Sequence, residues 1–209
     1  MDWVYARSMK LYQVAGCPFA HRARIVLEEK KLPYEVAYYE PRSRPAELAA
    51  ISPDARSPTL LDDDGKTRVW DSLVVIEYLE ERYPDVALMP RDAAARARAR
   101  LLMREVDAKV LPAMGPIVEE VVHKAAGPRD EGKVQAGITQ FRQALVPWQA
   151  RLDHQAFLLG DMFTLADIAL FTPTVAMVRL VGESGEIPEA LTIVRAWRDR
   201  IAARPSTAY

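Results

Sequence analysis

The chain has a single cysteine, Cys17, in 209 residues. One thiol excludes an intramolecular disulfide framework and suggests a reducing compartment, so a cytoplasmic setting is expected. The three histidines, His21, His123 and His154, lie far apart without metal-ligand spacing, and no metal is expected. Neither sign of charge is in excess: the formal net charge is −1, which argues against a nucleic-acid partner. No apolar run approaches the roughly 20 residues needed to span a bilayer, so no membrane partner is expected. Met1-Asp2-Trp3-Val4-Tyr5 offers no basic segment followed by a long apolar stretch, and no secretory leader is expected. What the chain does have is apolar content. Half of its residues are hydrophobic, enough for one large or two small packed domains.

The lone cysteine stands where a strand hands over to a helix. Met9 to Val14 is a short apolar run, and beyond Gly16 the residues Phe19, Ala23, Val26 and Leu27 fall on one helical face. Pro18 suits the first helical position, where its missing N–H is no loss. That puts Cys17 at or next to the N-cap, facing the positive end of the helix dipole, with His21, Arg22 and Arg24 following. A lone cysteine is most often a small buried hydrophobe. This electropositive setting instead suits a reactive or ligand-contacting thiol. His21 itself reads as an exposed first-turn residue rather than a base.

The first helix is expected to end near Lys31. Tyr34 to Tyr39 alternates as a strand, with Tyr34, Val36 and Tyr38 on one side, which completes a unit of βαβ size. Ser43-Arg44-Pro45 reads as a helix start and Ala46 to Ile51 as a short helix. Arg56 to Leu61 leads into a third strand, Asp62 to Lys66 is a hairpin turn, and Thr67 to Trp70 returns. Asp71-Ser72 caps a helix whose stripe is Leu73, Ile76, Leu79 and Tyr83, stopped by Pro84. The first domain is therefore placed at 1–84, as βαβ, α, ββ, α.

From Pro84 to Asp92 the pattern is that of a linker, and the second domain is placed at 92–209, without strands. Ala93 to Leu111 is rich in helix formers, with Arg96, Arg100 and Arg104 on one face, and Pro112 and Pro116 are expected to kink or divide the helix. Gly127 to Gly132 reads as a loop. Val134, Ile138, Phe141, Leu145, Trp148 and Leu152 form a buried stripe, Thr164 to Val181 a very apolar central helix, and Glu189 to Ala203 the last helix. The architecture expected is α/β followed by an all-α bundle.

Cys17-Pro18-Phe19-Ala20 with Arg22 and Arg24, then Ser57-Pro58, then Asp71-Ser72, resembles the glutathione transferase superfamily, and within it the omega-like, cysteine-type branch. Thr164-Leu165-Ala166-Asp167 is similar to that family's capping box in a central helix, and Arg204-Pro205-Ser206 to the end of its last core helix. The resemblance covers nearly the whole chain. It implies an N-terminal thioredoxin-like domain, a C-terminal helical bundle that takes the second substrate, glutathione as co-substrate, and a homodimer.

The resemblance also assigns roles. Cys17 becomes the catalytic thiol. Ser57-Pro58 matches the family's X-cis-Pro site, where the backbone of Ser57 would meet the cysteinyl part of glutathione. Ser72 and the first N–H groups of its helix would hold the γ-glutamyl carboxylate, and Asp71 the amino group. Arg44 would reach the glycyl carboxylate; it also reads as a plain surface arginine. Tyr12 is the rival to Cys17, since other branches use a tyrosine hydroxyl near here, but packing in the strand accounts for it equally. Thr164 and Asp167 are assigned to folding, with Asp167 worth about 1 kcal/mol as a cap. Met103, Pro112, Met114 and Met177 read as core or cleft lining. The ending at Tyr209, earlier than in many omega-like proteins, leaves any tail-dependent preference unassigned.

A cysteine thiolate can attack a disulfide and form a mixed disulfide with glutathione. Ala20 occupies the place of a second cysteine, so an external thiol must resolve that bond. The activity expected is a glutathione-dependent thiol transferase or reductase, acting on mixed disulfides or dehydroascorbate. The alternatives are conjugation, dehalogenation or isomerisation by bound glutathione, and a non-enzymatic stress-regulator-like binding protein of the same fold.

Overall fold

The computed structural model describes residues 8–40, 43–54, 56–124 and 126–208. Met1 to Tyr5, on which the expectation about a leader rests, and Tyr209 lie outside them. The chain divides into two compact units, with the division between Ala87 and Leu88.

The first unit follows the order β1 (Met9–Gln13), α1 (Pro18–Glu29), β2 (Tyr34–Tyr38), α2 (Ala46–Ile51), β3 (Thr59–Leu61), β4 (Arg68–Trp70) and α3 (Ser72–Arg82). The strands form one sheet in the order β2-β1-β3-β4. β1 and β2 run parallel with Leu11 opposite Val36, as a βαβ crossover requires. β3 is antiparallel to both β1 and β4, with Leu60 between Leu11 and Val69. One sheet face carries Tyr12, Ala37 and Leu61, which pack with Tyr39 and with Leu48 and Ile51 of α2. Leu11 and Leu60 point the other way and are fully buried on the side of α1 and α3, which contact each other.

Burial of α1 is broader than its apolar stripe. Ala20, His21, Arg22, Ala23, Ile25, Val26 and Leu27 are all buried, and α3 packs along the helix. The expected exposed His21 is therefore buried, and Phe19, expected on the inner face, is exposed. Tyr38 also turns out to be exposed, with its hydroxyl accepting from Arg24 at 3.2 Å. Lys30 at the helix end is buried too: its ammonium reaches Glu80 Oε2 at 2.7 Å and the carbonyls of Tyr83 and Val86 at 2.8 and 2.6 Å. A buried ammonium is tolerated when all its protons are engaged, and these three acceptors suffice.

The second unit contains α4 (Ala93–Glu105), α5 (Gly115–Val118), α6 (Glu131–Arg151), α7 (Leu165–Val181) and α8 (Thr192–Ala202). Among the described residues it has no strand, only isolated bridges within 157–162. As expected, the helix is divided around Pro112 and Pro116: α4 ends at Glu105 and α5 starts at Gly115. A π-turn over Val106–Val110 and a 3-10 turn over Pro112–Met114 carry the chain into α5, and Leu111 N–H bonds back to Val106 at 3.0 Å. The wider turn makes room for a ring that would collide with the carbonyl four residues earlier. α6 begins at Glu131, inside the expected loop, because Asp130 caps it. α8 begins at Thr192, three residues later than the expected Glu189.

α7 is the centre of this unit, buried from Leu165 to Thr174. The stretch Leu165–Gly185 does reach the length and apolarity of a membrane span, contrary to the sequence reading, but two thirds of it lies inside the packed bundle. Met103, Met114 and Met177 are buried core residues.

Candidate active site

Cys17 caps α1 in extended conformation, with Pro18 at the first helical position. Gly16, at φ +71°, makes the turn that brings the chain from β1 to this cap. The thiol is half-buried. Its Sγ lies 3.9 Å from the carbonyl oxygen of Ser57, and the Ser57–Pro58 bond is cis. The Ser57 hydroxyl accepts the Val14 N–H at 3.1 Å, while Cys17 N–H returns to the Val14 carbonyl at 3.3 Å. Two contacts thus join the cysteine turn to Ser57 in the loop before β3, and a third closes the turn itself. Pro58 is buried.

Asp71 caps α3 from an unusual backbone position, φ +70°. A non-glycine residue in that region is sparsely populated and marks functional sites more often than others. Its Oδ1 accepts from Leu73 N–H at 2.9 Å and Val74 N–H at 3.3 Å. This narrows the sequence expectation that the first N–H groups of the helix serve a ligand, since Asp71 itself already engages two of them. Ser72 is buried, and its hydroxyl accepts from the Arg22 guanidinium at 3.1 Å.

The structure thus joins Cys17 to Ser57, and joins Ser72 to α1 through Arg22. Arg44 stands further out, exposed, donating to the Asp54 carbonyl at 3.3 Å. Tyr39 connects it electrostatically to the cysteine: burial pushes the Tyr39 phenol up, the Cys17 sulfur adds to that shift, and the Arg44 guanidinium opposes it. Tyr12 belongs to the core cluster with Tyr39 and Leu48, and Lys10 lies over its ring at 4.8 Å. Packing accounts for it.

The residue that sequence reasoning misplaced is Arg22, read as part of the field around Cys17 but found facing Ser72. A signal was available. Arg22 lies three and four residues before Ile25 and Val26, so helical spacing puts it on the buried face. A charged residue on such a face needs a partner. The partner is fifty residues away, beyond the reach of local patterning.

Two family descriptions match the chain: the glutathione S-transferase N-terminal domain over residues 16–82 and the C-terminal domain over 120–200. A maleylacetoacetate isomerase of Pseudomonas aeruginosa is 31% identical over 205 residues, 95% of this chain and 93% of that protein. The chain belongs to the glutathione S-transferase family. A probable glutathione S-transferase DHAR1, cytosolic, of Oryza sativa is 29% identical, covering 92% of this chain and 83% of the relative. A stringent starvation protein A homolog of Haemophilus ducreyi is 27% identical, covering 76% and 70%. The crystal structure of a glutathione S-transferase from Rhodospirillum rubrum superposes with a TM-score of 0.84 at 30% identity, over 95% of this chain and 90% of that one. The fold is accordingly that of the glutathione transferases, a thioredoxin-like unit followed by a helical one. These relatives carry different names, so the family is common ground while the reaction is not.

Proposed function

We propose that this glutathione transferase is omega-like and works as a thiol transferase, with Cys17 as the exchanging sulfur. The observation that carries the reading is the position of Cys17 Sγ at the α1 N-terminus, 3.9 Å from the Ser57 carbonyl. A hydroxyl at that place would hold the glutathione thiolate by a hydrogen bond; a thiol can form a bond with it.

The steps balance as ordinary exchange. The Cys17 thiolate attacks the glutathione sulfur of a mixed disulfide, and the S–S electron pair leaves with the other thiol, which takes up a proton. A second glutathione thiolate then attacks the same sulfur. Oxidised glutathione departs, and Cys17 returns as thiolate. Ala20 offers no second protein sulfur. In this reading Ser57 pairs through its backbone with the cysteinyl part of glutathione beside Pro58. Ser72 takes the γ-glutamyl carboxylate, the Asp71 carboxylate the amino group, and Arg44 the glycyl carboxylate. The second substrate is a small oxidised or electrophilic molecule, the protein is a homodimer, and its setting is the cytoplasm.

Glutathione-resin retention and intact mass after exposure to oxidised glutathione test this together. Retention with one glutathionyl group on the chain, absent in Cys17→Ser, is the expected result. Retention without an adduct would move the assignment to conjugation or isomerisation, as the name of the Pseudomonas relative suggests. No retention would move it to the regulator-like binding protein, toward the starvation-protein relative.

A further inference from the structure

The Arg22 side chain has no exposed surface, and one of its N–H groups donates to Ser72 Oγ at 3.1 Å. The Phe19 ring lies 5.5 Å from its guanidinium carbon. A guanidinium is only a donor, whereas a hydroxyl has one proton and two acceptor sites. With Arg22 in one acceptor site, the Ser72 proton is left for an acceptor elsewhere. At the α3 N-terminus the backbone groups following Ser72 are donors already turned to Asp71, Leu73 and Val74 N–H to its Oδ1 and Val75 N–H to its carbonyl, so they offer the Ser72 proton no acceptor. The arrangement therefore suits an anion from outside the chain, toward which Ser72 donates with a buried positive charge directly behind it.

We propose that Arg22 is a positioning residue for ligand recognition: it fixes Ser72 as a donor and so sets the preference for a ligand bearing a carboxylate at its γ-glutamyl end. The proposal rests on the assignment of Ser72 to that carboxylate. Arg22 touches no ligand and acts through Ser72. Its fully buried position keeps it out of view on the protein surface.

The test compares two ligands on the full chain by calorimetry: glutathione, and 4-aminobutanoyl-cysteinylglycine, which lacks only the γ-glutamyl carboxylate. The variants are Arg22→Gln, Arg22→Lys, Ser72→Ala and the double variant Arg22→Gln/Ser72→Ala. Wild type is expected to prefer glutathione by about tenfold or more, the range of a hydrogen bond to a charged group. Arg22→Gln should lower glutathione affinity and collapse that preference while leaving the analogue nearly unchanged. Arg22→Lys should keep part of it, and adding Arg22→Gln to Ser72→Ala should cost nothing more. An equal loss for both ligands, no loss for either, or additive losses in the double variant would overturn the proposal. Should Arg22→Gln not fold, Arg22→Lys decides alone: a preference equal to wild type, despite the lost planar fork, would overturn it. Absence of a preference in wild type would instead overturn the assignment of Ser72, and the proposal with it.

Discussion

The carboxylate of Asp167 accepts four hydrogen bonds: from Leu158 N–H at 2.8 Å, Thr164 N–H at 3.0 Å, the Thr164 hydroxyl at 2.9 Å and Trp197 Nε1 at 3.0 Å. The sequence shows the Thr164–Asp167 spacing and hence the capping box. It does not show Trp197, thirty residues on, or the loop at Leu158. A cap alone is worth about 1 kcal/mol. Here removal of the side chain strands several buried donors, so Asp167→Ala should cost about 3 kcal/mol or more. Asp167→Asn should also destabilise, because all four partners are donors and an amide presents only one acceptor atom. Urea unfolding read by tryptophan fluorescence measures both. Retained glutathione-resin binding in the folded fraction would keep Asp167 on the folding side of the account. The same limit on local reading explains Arg22, whose spacing flags it as buried without revealing Ser72.

Elements meet at contacts that constrain side-chain size and charge. Gly185 follows α7 so closely that an added Cβ would overlap the Met177 carbonyl group and lie 2.8 Å from the Val178 nitrogen. Backbone cannot swing aside as a side chain can. Gly185→Ala should destabilise by about 1–3 kcal/mol, seen as a lower melting midpoint with unchanged resin binding of the folded protein. Between α4 and α6, Arg151 grips Glu105 with two N–H···O bonds of 2.6 and 3.0 Å, and Lys109 adds a third at 2.9 Å. The Arg151 bond first, then the Lys109 bond, hold the Glu105 carboxyl down at about 2, well below its ordinary 4.5. A carboxyl whose folded value is depressed stabilises the fold above its unfolded value, and that contribution fades as pH falls from about 4.5 toward 2. Glu105→Gln should therefore be less stable than wild type at pH 7, with the gap closing across that window in urea titrations. A constant gap would contradict the assignment. The helical spacing of α6 reveals its buried stripe in advance, but the pairing of Arg151 with Glu105 depends on how two helices forty-six residues apart meet.

At the scale of the molecule, the change from mixed α/β to all-helical is legible because hydrophobic periodicity switches from two to three and four residues. The βαβ-α-ββ-α succession follows from turn residues such as Pro33, Ser52-Pro53 and the aspartates at 62–64. The placement of β3 antiparallel beside β1 needs long-range pairing that no local pattern encodes. The cysteine turn was the most readable part of the site, since proline, helix start and lone thiol all sit in adjacent positions. What unites the two scales is the claim that Cys17 exchanges its sulfur with glutathione. Steady-state reduction of a small mixed disulfide of glutathione, with both substrates varied, tests it most directly. The account predicts parallel lines in the double-reciprocal plot, the pattern of a covalent intermediate, and loss of turnover in Cys17→Ser. Intersecting lines with undiminished thiol transfer by Cys17→Ser would contradict it.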